Sequence, residues 1–184
     1  MVESTWDDGT GSVIDPRDTL HYIAPRPAVW KHLIMTEPDK LTTLGWREWV
    51  LLPQLADLPI KAKVDTGAKT SALHAFYIEP YRKDGELLVK FLIHPLQNDT
   101  STEIECHAPV IDQRMVSDSG GHKEQRFVIE TAVVIQEQSF PIELTLTDRD
   151  SMLFRMLLGR SALKGRFSVD SASSFLAGGN SKTP

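Results

Sequence analysis

Lys61-Ala62-Lys63-Val64-Asp65-Thr66-Gly67-Ala68-Lys69-Thr70-Ser71 begins as a strand and ends as a corner. Ile60, Ala62 and Val64 alternate with Lys61, Lys63 and Asp65, the period of two that marks a half-buried strand. At Asp65 the alternation stops. Gly67 lets the backbone turn sharply and approach other groups closely, and the Thr66 hydroxyl can bond neighbouring backbone and stiffen the loop.

The chain around this stretch is also β in character. Trp46 to Leu52 is a short apolar run ended by Pro53, and Leu87 to Ile93 is apolar enough for a strand buried on both faces. Lys83-Asp84-Gly85 before it is a hairpin signal. Phe127 to Ile135 is rich in β-branched residues, and Ile142, Leu144 and Leu146 alternate with Glu143, Thr145 and Thr147. Helical periodicity is confined to a short turn from Arg160 to about Lys164. Many short strands with Gly and Pro punctuation describe an all-β fold, a small barrel or sandwich. The chain has 184 residues, 41% of them hydrophobic and 24% charged, an ordinary globular composition. Its net charge of −5 argues against a dedicated nucleic-acid binder. No run approaches the length of a membrane span, and the acidic start lacks the features of a signal peptide. A soluble, cytoplasmic protein is expected. The single cysteine, Cys106, excludes an intrachain disulfide and a multi-cysteine zinc site.

Asp65-Thr66-Gly67 suits the chemistry of an aspartic peptidase, but alone it reads as well as an Asp-capped turn. By composition, a chain of this length holds the tripeptide by chance roughly a few per cent of the time. A second element alters that balance. Met156-Leu157-Leu158-Gly159-Arg160 is an apolar strand ending in Gly-Arg, followed by a helical turn from Ser161, about ninety residues after the first element. The pair resembles the retropepsin-like aspartic peptidases, where the second element packs behind the catalytic loop. Gly45-Trp46-Arg47-Glu48-Trp49-Val50, the segment Lys61 to Ala75, and Leu144 to Asp150 before the Gly-Arg element narrow the match. They resemble one bacterial and archaeal family often labelled ATP-dependent zinc proteases. Some of its members are associated with ATP-grasp ligases that add glutamates to a ribosomal protein. The resemblance covers residues 44 to 171.

That resemblance implies a closed barrel of six or seven strands, with one short C-terminal helix, supplying half of an active site. Aspartic catalysis uses two carboxylates sharing one proton, because like charges so close cannot both ionise; aspartic proteases are the standard illustration of the effect. Only one Asp-Thr-Gly is available. Asp118-Ser119-Gly120 reads as a possible partner, but no long apolar strand precedes it and no Leu-Leu-Gly-Arg element follows it. A symmetric homodimer with Asp65 from each subunit is therefore expected. Asp65, Thr66 and Gly67 are the candidate catalytic residues, with Gly159 and Arg160 as structural support. Ser117 to Gly121 reads as the turn of a hairpin closing over substrate or as an ordinary surface turn. On the first reading Ser119, Gly120 and Gly121 join Ala68, Lys69 and Arg149 as candidate substrate-binding residues. Its likeness to the chymotrypsin-like Gly-Asp-Ser-Gly-Gly is superficial, since the histidine-bearing stretch is missing and the chain is too short for two barrels.

Retroviral members commonly place an acid after Asp-Thr-Gly-Ala, where it pairs with the arginine of the Gly-Arg element. Here that position is Lys69, leaving Asp148, Asp150 and Asp170 as candidate partners of Arg160. Lys69 with Lys61, Lys63 and Arg149 would make the cleft basic and favour Glu-rich or glutamylated chains; as solvated edge charges they would carry no such meaning. The zinc label finds little support. The six histidines are scattered, and Cys106 and His107, adjacent on a strand, point to opposite faces. His74 is near enough in sequence to approach the site, though a lone histidine is more often structural. Gly67-Ala68-Lys69-Thr70 lacks the glycines of a nucleotide-binding loop, so no metal or cofactor is expected and no nucleic acid or membrane partner. The competing readings are a non-catalytic retropepsin-like binding module and a metal-dependent hydrolase. Residues 1–43, with seven acids and four bases through Leu44 and four prolines, read as an arm, residues 44–172 as the barrel domain and residues 173–184 as a frayed tail.

Overall fold

The computed structural model describes residues 41–117, 121–148 and 153–178. The expected arm falls outside them up to residue 40, as do Ser119, Gly120, Arg149, Asp150 and the last six residues of the chain.

The described chain is nearly all strand. β1 (Thr42–Gly45) is followed by β2 (Arg47–Leu52), β3 (Ala56–Asp65), β4 (Ser71–His74), β5 (Phe76–Lys83), β6 (Glu86–Ile93), β7 (Ile104–Ser117), β8 (Lys123–Ile135), β9 (Gln138–Thr147) and β10 (Met156–Gly159). A single helical turn, α1 (Arg160–Leu163), then leads to β11 (Phe167–Asp170). Neighbours run β2-β3-β10-β4-β9-β8, and β8 returns to β2 at Leu51↔Val134, closing a six-stranded barrel. Closure removes the unpaired edges that an open sheet exposes. The first half of β8 pairs instead with β7, and β6 and β5 continue that sheet beyond the barrel. β1 and β11 form a separate parallel pair.

Alternation translates directly into burial on β3, where Ile60, Ala62 and Val64 are buried while Lys61 and Lys63 are not. They join Leu52, Leu73, Leu144, Leu146, Met156 and Leu158 in one core. On β9 the apolar set is buried as expected, but Thr145 and Thr147 are buried too. The strand is covered on both faces, and its hydroxyls are satisfied by the Ser71 carbonyl and the Glu124 carboxylate. β6 shows the opposite deviation. Val89, Phe91 and Ile93 are buried while Leu88, Lys90 and Leu92 are only half-buried, so it is covered on one face, not both. The Lys83-Asp84-Gly85 signal is realised as a two-residue turn between paired Lys83 and Glu86, with φ of +53° at Asp84 and +87° at Gly85. Two positive φ values are what a type I′ hairpin requires.

Residues 173–178 depart from the frayed end that their composition suggests. Trp46 N donates to the Ser173 carbonyl at 2.9 Å and Phe175 N to the Arg47 carbonyl at 2.9 Å. Phe175 stacks on Trp49 at 5.8 Å, with the Arg47 guanidinium over its ring. Glu48, fully buried, accepts hydrogen bonds from Gly45 N, Leu176 N and Ala177 N. Residue composition carries no sign of this, because the partners, Trp46 to Trp49, lie far away in sequence. Among the described residues no helix is long and apolar enough to cross a membrane.

Candidate active site

Asp65 ends β3, in parallel register with Gly159 at the end of β10. Asp65 Oδ1 accepts from Gly67 N at 3.0 Å and Ala68 N at 3.2 Å, so the carboxylate folds its own loop around itself. Two backbone donors on one carboxylate oxygen fix its direction. The loop then docks on the helical turn. Arg160 N donates to the Ala68 carbonyl at 2.8 Å and Ser161 N to the Lys69 carbonyl at 3.0 Å. These N–H groups have no partner within a helix, and the loop supplies their acceptors.

Gly159 has a specific reason to be glycine. A Cβ there would lie 2.5 Å from the Thr70 carbonyl carbon and 2.7 Å from its oxygen. The backbones of β10 and the chain after the Asp-Thr-Gly loop pass too closely for any side chain. Gly159 N also donates to Ser71 Oγ at 3.0 Å. Arg160 finds its partner in backbone rather than in an acid. Its Nη1 donates to the carbonyls of Thr66 at 2.9 Å and Gly67 at 3.2 Å, so one guanidinium nitrogen clamps the loop that carries Asp65. Neither Asp148 nor Asp170 pairs with it, and Asp150 lies outside the described residues. With Lys69 in the position where an acid would receive the guanidinium, the loop carbonyls are the acceptors that remain.

A cleft of about 790 Å³ opens over this loop, lined by Asp65, Gly67 to Thr70, Ala72, Thr145 and Leu157 on one side. The other side is made by the long β7–β8 hairpin through Arg114 to Ser117 and Arg126. Its arms line the cleft that holds Asp65, while Ser119 and Gly120, between the arms in sequence, lie outside the described residues. Gly121, at φ +79°, is described but does not line the cleft.

The cleft's cations differ from those expected. Lys69 lines it, but Lys61 and Lys63 do not. They lie further back on β3, at about 3.3 Å per residue, and the Lys61 ammonium sits over the rings of Trp49 and Phe175. Arg114 and Arg126 take their place. Arg114 bonds both Asp112 and Glu143, and those bonds hold both carboxyls below the usual carboxylate range and raise the guanidinium. Arg126, only 7% exposed, bonds Glu124 at 2.8 Å through Nε. Sequence reading missed both arginines, although the signal existed: they lie six residues either side of Gly120, so a hairpin turning there sets them face to face.

His74 does not reach the cleft; it is buried beside the rings of Phe76 and His94. Cys106 and His107 point to opposite faces. The thiol is buried, pushed up to about 11 by that burial and by Glu105, and the imidazole is exposed against Tyr81. Among the described residues no three His, Cys, Asp or Glu side chains are grouped to hold a metal ion.

The family model described as retropepsin-like aspartic endopeptidase RimB matches residues 43–179. Curated relatives bear another name. A "Probable alpha-L-glutamate ligase" of Desulfotalea psychrophila is 47% identical over 129 residues, covering 70% of this chain and 28% of that protein. Its namesake in Parasynechococcus marenigrum is 51% identical over 127 residues, covering 69% and 27%. The namesake in Shewanella pealeana is 41% identical over 140 residues, covering 76% and 31%. The chain thus spans under a third of the length of these relatives. A crystal structure of a protein of unknown function from Legionella pneumophila shares the fold, with a TM-score of 0.63 at 25% identity, covering 74% of this chain and 98% of that one.

Proposed function

Because the chain belongs to the RimB-like family of retropepsin-like aspartic endopeptidases, we propose that it hydrolyses peptide bonds as a homodimer, with Asp65 given by each subunit. The observation that carries this reading is that Asp65 is the only carboxylate among the described residues lining the cleft. One carboxylate is half of the machinery. Two Asp65 groups brought together by a two-fold axis share one proton. The ionised carboxylate takes a proton from water, the hydroxide adds to the scissile carbonyl, and the protonated carboxyl gives its proton toward the carbonyl oxygen. Collapse of the tetrahedral intermediate expels the amine, which leaves with a proton. The Arg160 clamp and the Gly67 and Ala68 N–H groups hold each carboxylate in place for this exchange.

Acidic, glutamylated protein tails are the substrate class we favour. Lys69 in the cleft supports it, as does the glutamate-ligase name of the relatives. The same name supports a second reading. This region makes up less than a third of those relatives, so it would serve there as a non-catalytic module that binds a ligase's substrate.

Asp65→Asn separates the two. The peptidase reading expects this variant to lose cleavage of a glutamylated peptide by at least about a thousandfold while its size by light scattering matches wild type. Wild-type protein that binds the peptide without cutting it, or Asp65→Asn that cuts as well as wild type, rules the peptidase reading out.

A further inference from the structure

Arg114 and Arg126 are paired directly across the β7–β8 hairpin, and both line the cleft that holds Asp65. Like charges directly opposite on neighbouring strands destabilise a sheet. The fold accommodates the pair with three carboxylates, Asp112 and Glu143 on Arg114 and Glu124 on Arg126. Glu124 is in turn fixed by the Thr147 hydroxyl. So much support around two like charges needs a reason that hairpin stability does not supply.

Donor counting suggests one. A guanidinium carries five N–H donors in a planar fork. Arg126 is almost fully buried and uses only Nε on Glu124; its other donors meet no acceptor among the described residues. Across the cleft stands the exposed Lys69, whose charge reaches Glu143. A peptide entering between these walls therefore meets Lys69, Arg114 and Arg126, with Asp65 as the only lining carboxylate among the described residues. An apolar side chain seated there would strip water from the Arg126 donors and return nothing, whereas a carboxylate would match the fork in a bidentate, charge-assisted bond.

We propose that the cross-strand pair Arg114–Arg126, with Lys69 opposite, is the specificity-determining subsite of the cleft and selects a carboxylate side chain on the bound peptide. Its role in cleavage rests on the peptidase reading, but its role in binding does not. The test is therefore made by binding, in the full chain carrying Asp65→Asn so that no peptide is consumed. Fluorescently labelled hexaglutamate and hexaglutamine peptides are titrated at low salt and followed by anisotropy. The glutamate peptide is expected to bind at least about tenfold more tightly. Arg126→Gln removes about tenfold of that affinity and leaves the glutamine peptide unchanged, and Arg126→Lys, which keeps charge but loses the fork, falls between. Should Arg126→Gln unfold, as a thermal melt would show, Lys69→Gln on the exposed opposite wall is read in the same way. Equal binding of the two peptides, binding of neither, or an equal loss for both on substitution overturns the subsite. A glutamate preference in a wild-type protein that cuts neither peptide would leave the subsite standing and remove the peptidase reading alone.

Discussion

Gly159 and Glu48 show how much a single position can carry outside the chemistry itself. At Gly159 the obstacle is space, since its φ of −82° suits any residue. The atoms that a Cβ would meet are backbone and cannot swing aside. Gly159→Ala should therefore cost at least about 3 kcal/mol, at or beyond the upper end for overpacking, visible as a lowered urea midpoint, and should lower activity by displacing the chain next to Asp65. Glu48 is a different case. Its carboxylate accepts three backbone N–H groups, one from the β1–β2 corner and two from the C-terminal segment. Glu48→Ala leaves them open at about 1–3 kcal/mol for each buried donor, and Glu48→Gln, which keeps one acceptor, should lose clearly less. A thermal melt of both variants measures the difference; equal midpoints would show that water replaces the carboxylate without penalty. The resemblance gives Gly159 as support of the site, but the backbone that it packs on, and any role for Glu48, are not legible in the sequence. A glycine after Leu-Leu and a glutamate between tryptophans look like many others until the chain that packs on them is known.

Among the elements, the β7–β8 hairpin and the C-terminal segment respond to different variables. The hairpin carries Asp112, whose carboxyl is held low by its bonds to Arg114, and leans on Glu143 of β9, held low mainly by the same arginine. A carboxylate with a depressed folded-state pKa adds stability that is present above its unfolded value and lost as pH falls through the folded one. The advantage of wild type over Arg114→Gln should thus be full near about pH 6 and shrink steadily toward about pH 3. Thermal midpoints of the two proteins across that range test this, and a constant difference would show that Arg114 acts by packing alone. Both acids are largely solvated, so the effect is modest. The C-terminal segment depends on Phe175 and on the hydrogen bonds to Trp46, Arg47 and Glu48. Ending the chain after Ala172 removes all of them at once and exposes Gly45, Trp49 and the buried Glu48. The truncated protein should melt lower than Phe175→Ala. The strands themselves are readable where one face is buried, as on β3, because alternation reports a one-sided environment. β6 was misjudged for the converse reason: its half-covered face is apolar, and a run without polar punctuation looks the same whether one side or both are packed.

For the whole molecule, the prediction is assembly. Sedimentation or light scattering should give twice the chain mass under conditions where the protein cleaves, and titrating wild type with excess Asp65→Asn should depress activity, since mixed dimers hold one competent carboxylate. A monomer that cleaves at full rate would defeat the shared-site mechanism. The matched region forms less than a third of the curated relatives.

By itself the sequence determined the strand that ends at Asp65, its partner ending in Gly159-Arg160, and through them the family and the closed barrel. Those features are local: period-two alternation and a glycine at a corner are written in consecutive residues. Only the tertiary structure decided what Arg160 holds, which cations reach the cleft and why residues 173–178 are held at Glu48. Each of these depends on groups brought together by strand register and barrel closure. Lys61 and Lys63, close to Asp65 in sequence, are carried away from the cleft along β3. Arg114 and Arg126, 49 and 61 residues beyond Asp65, are set opposite one another over it.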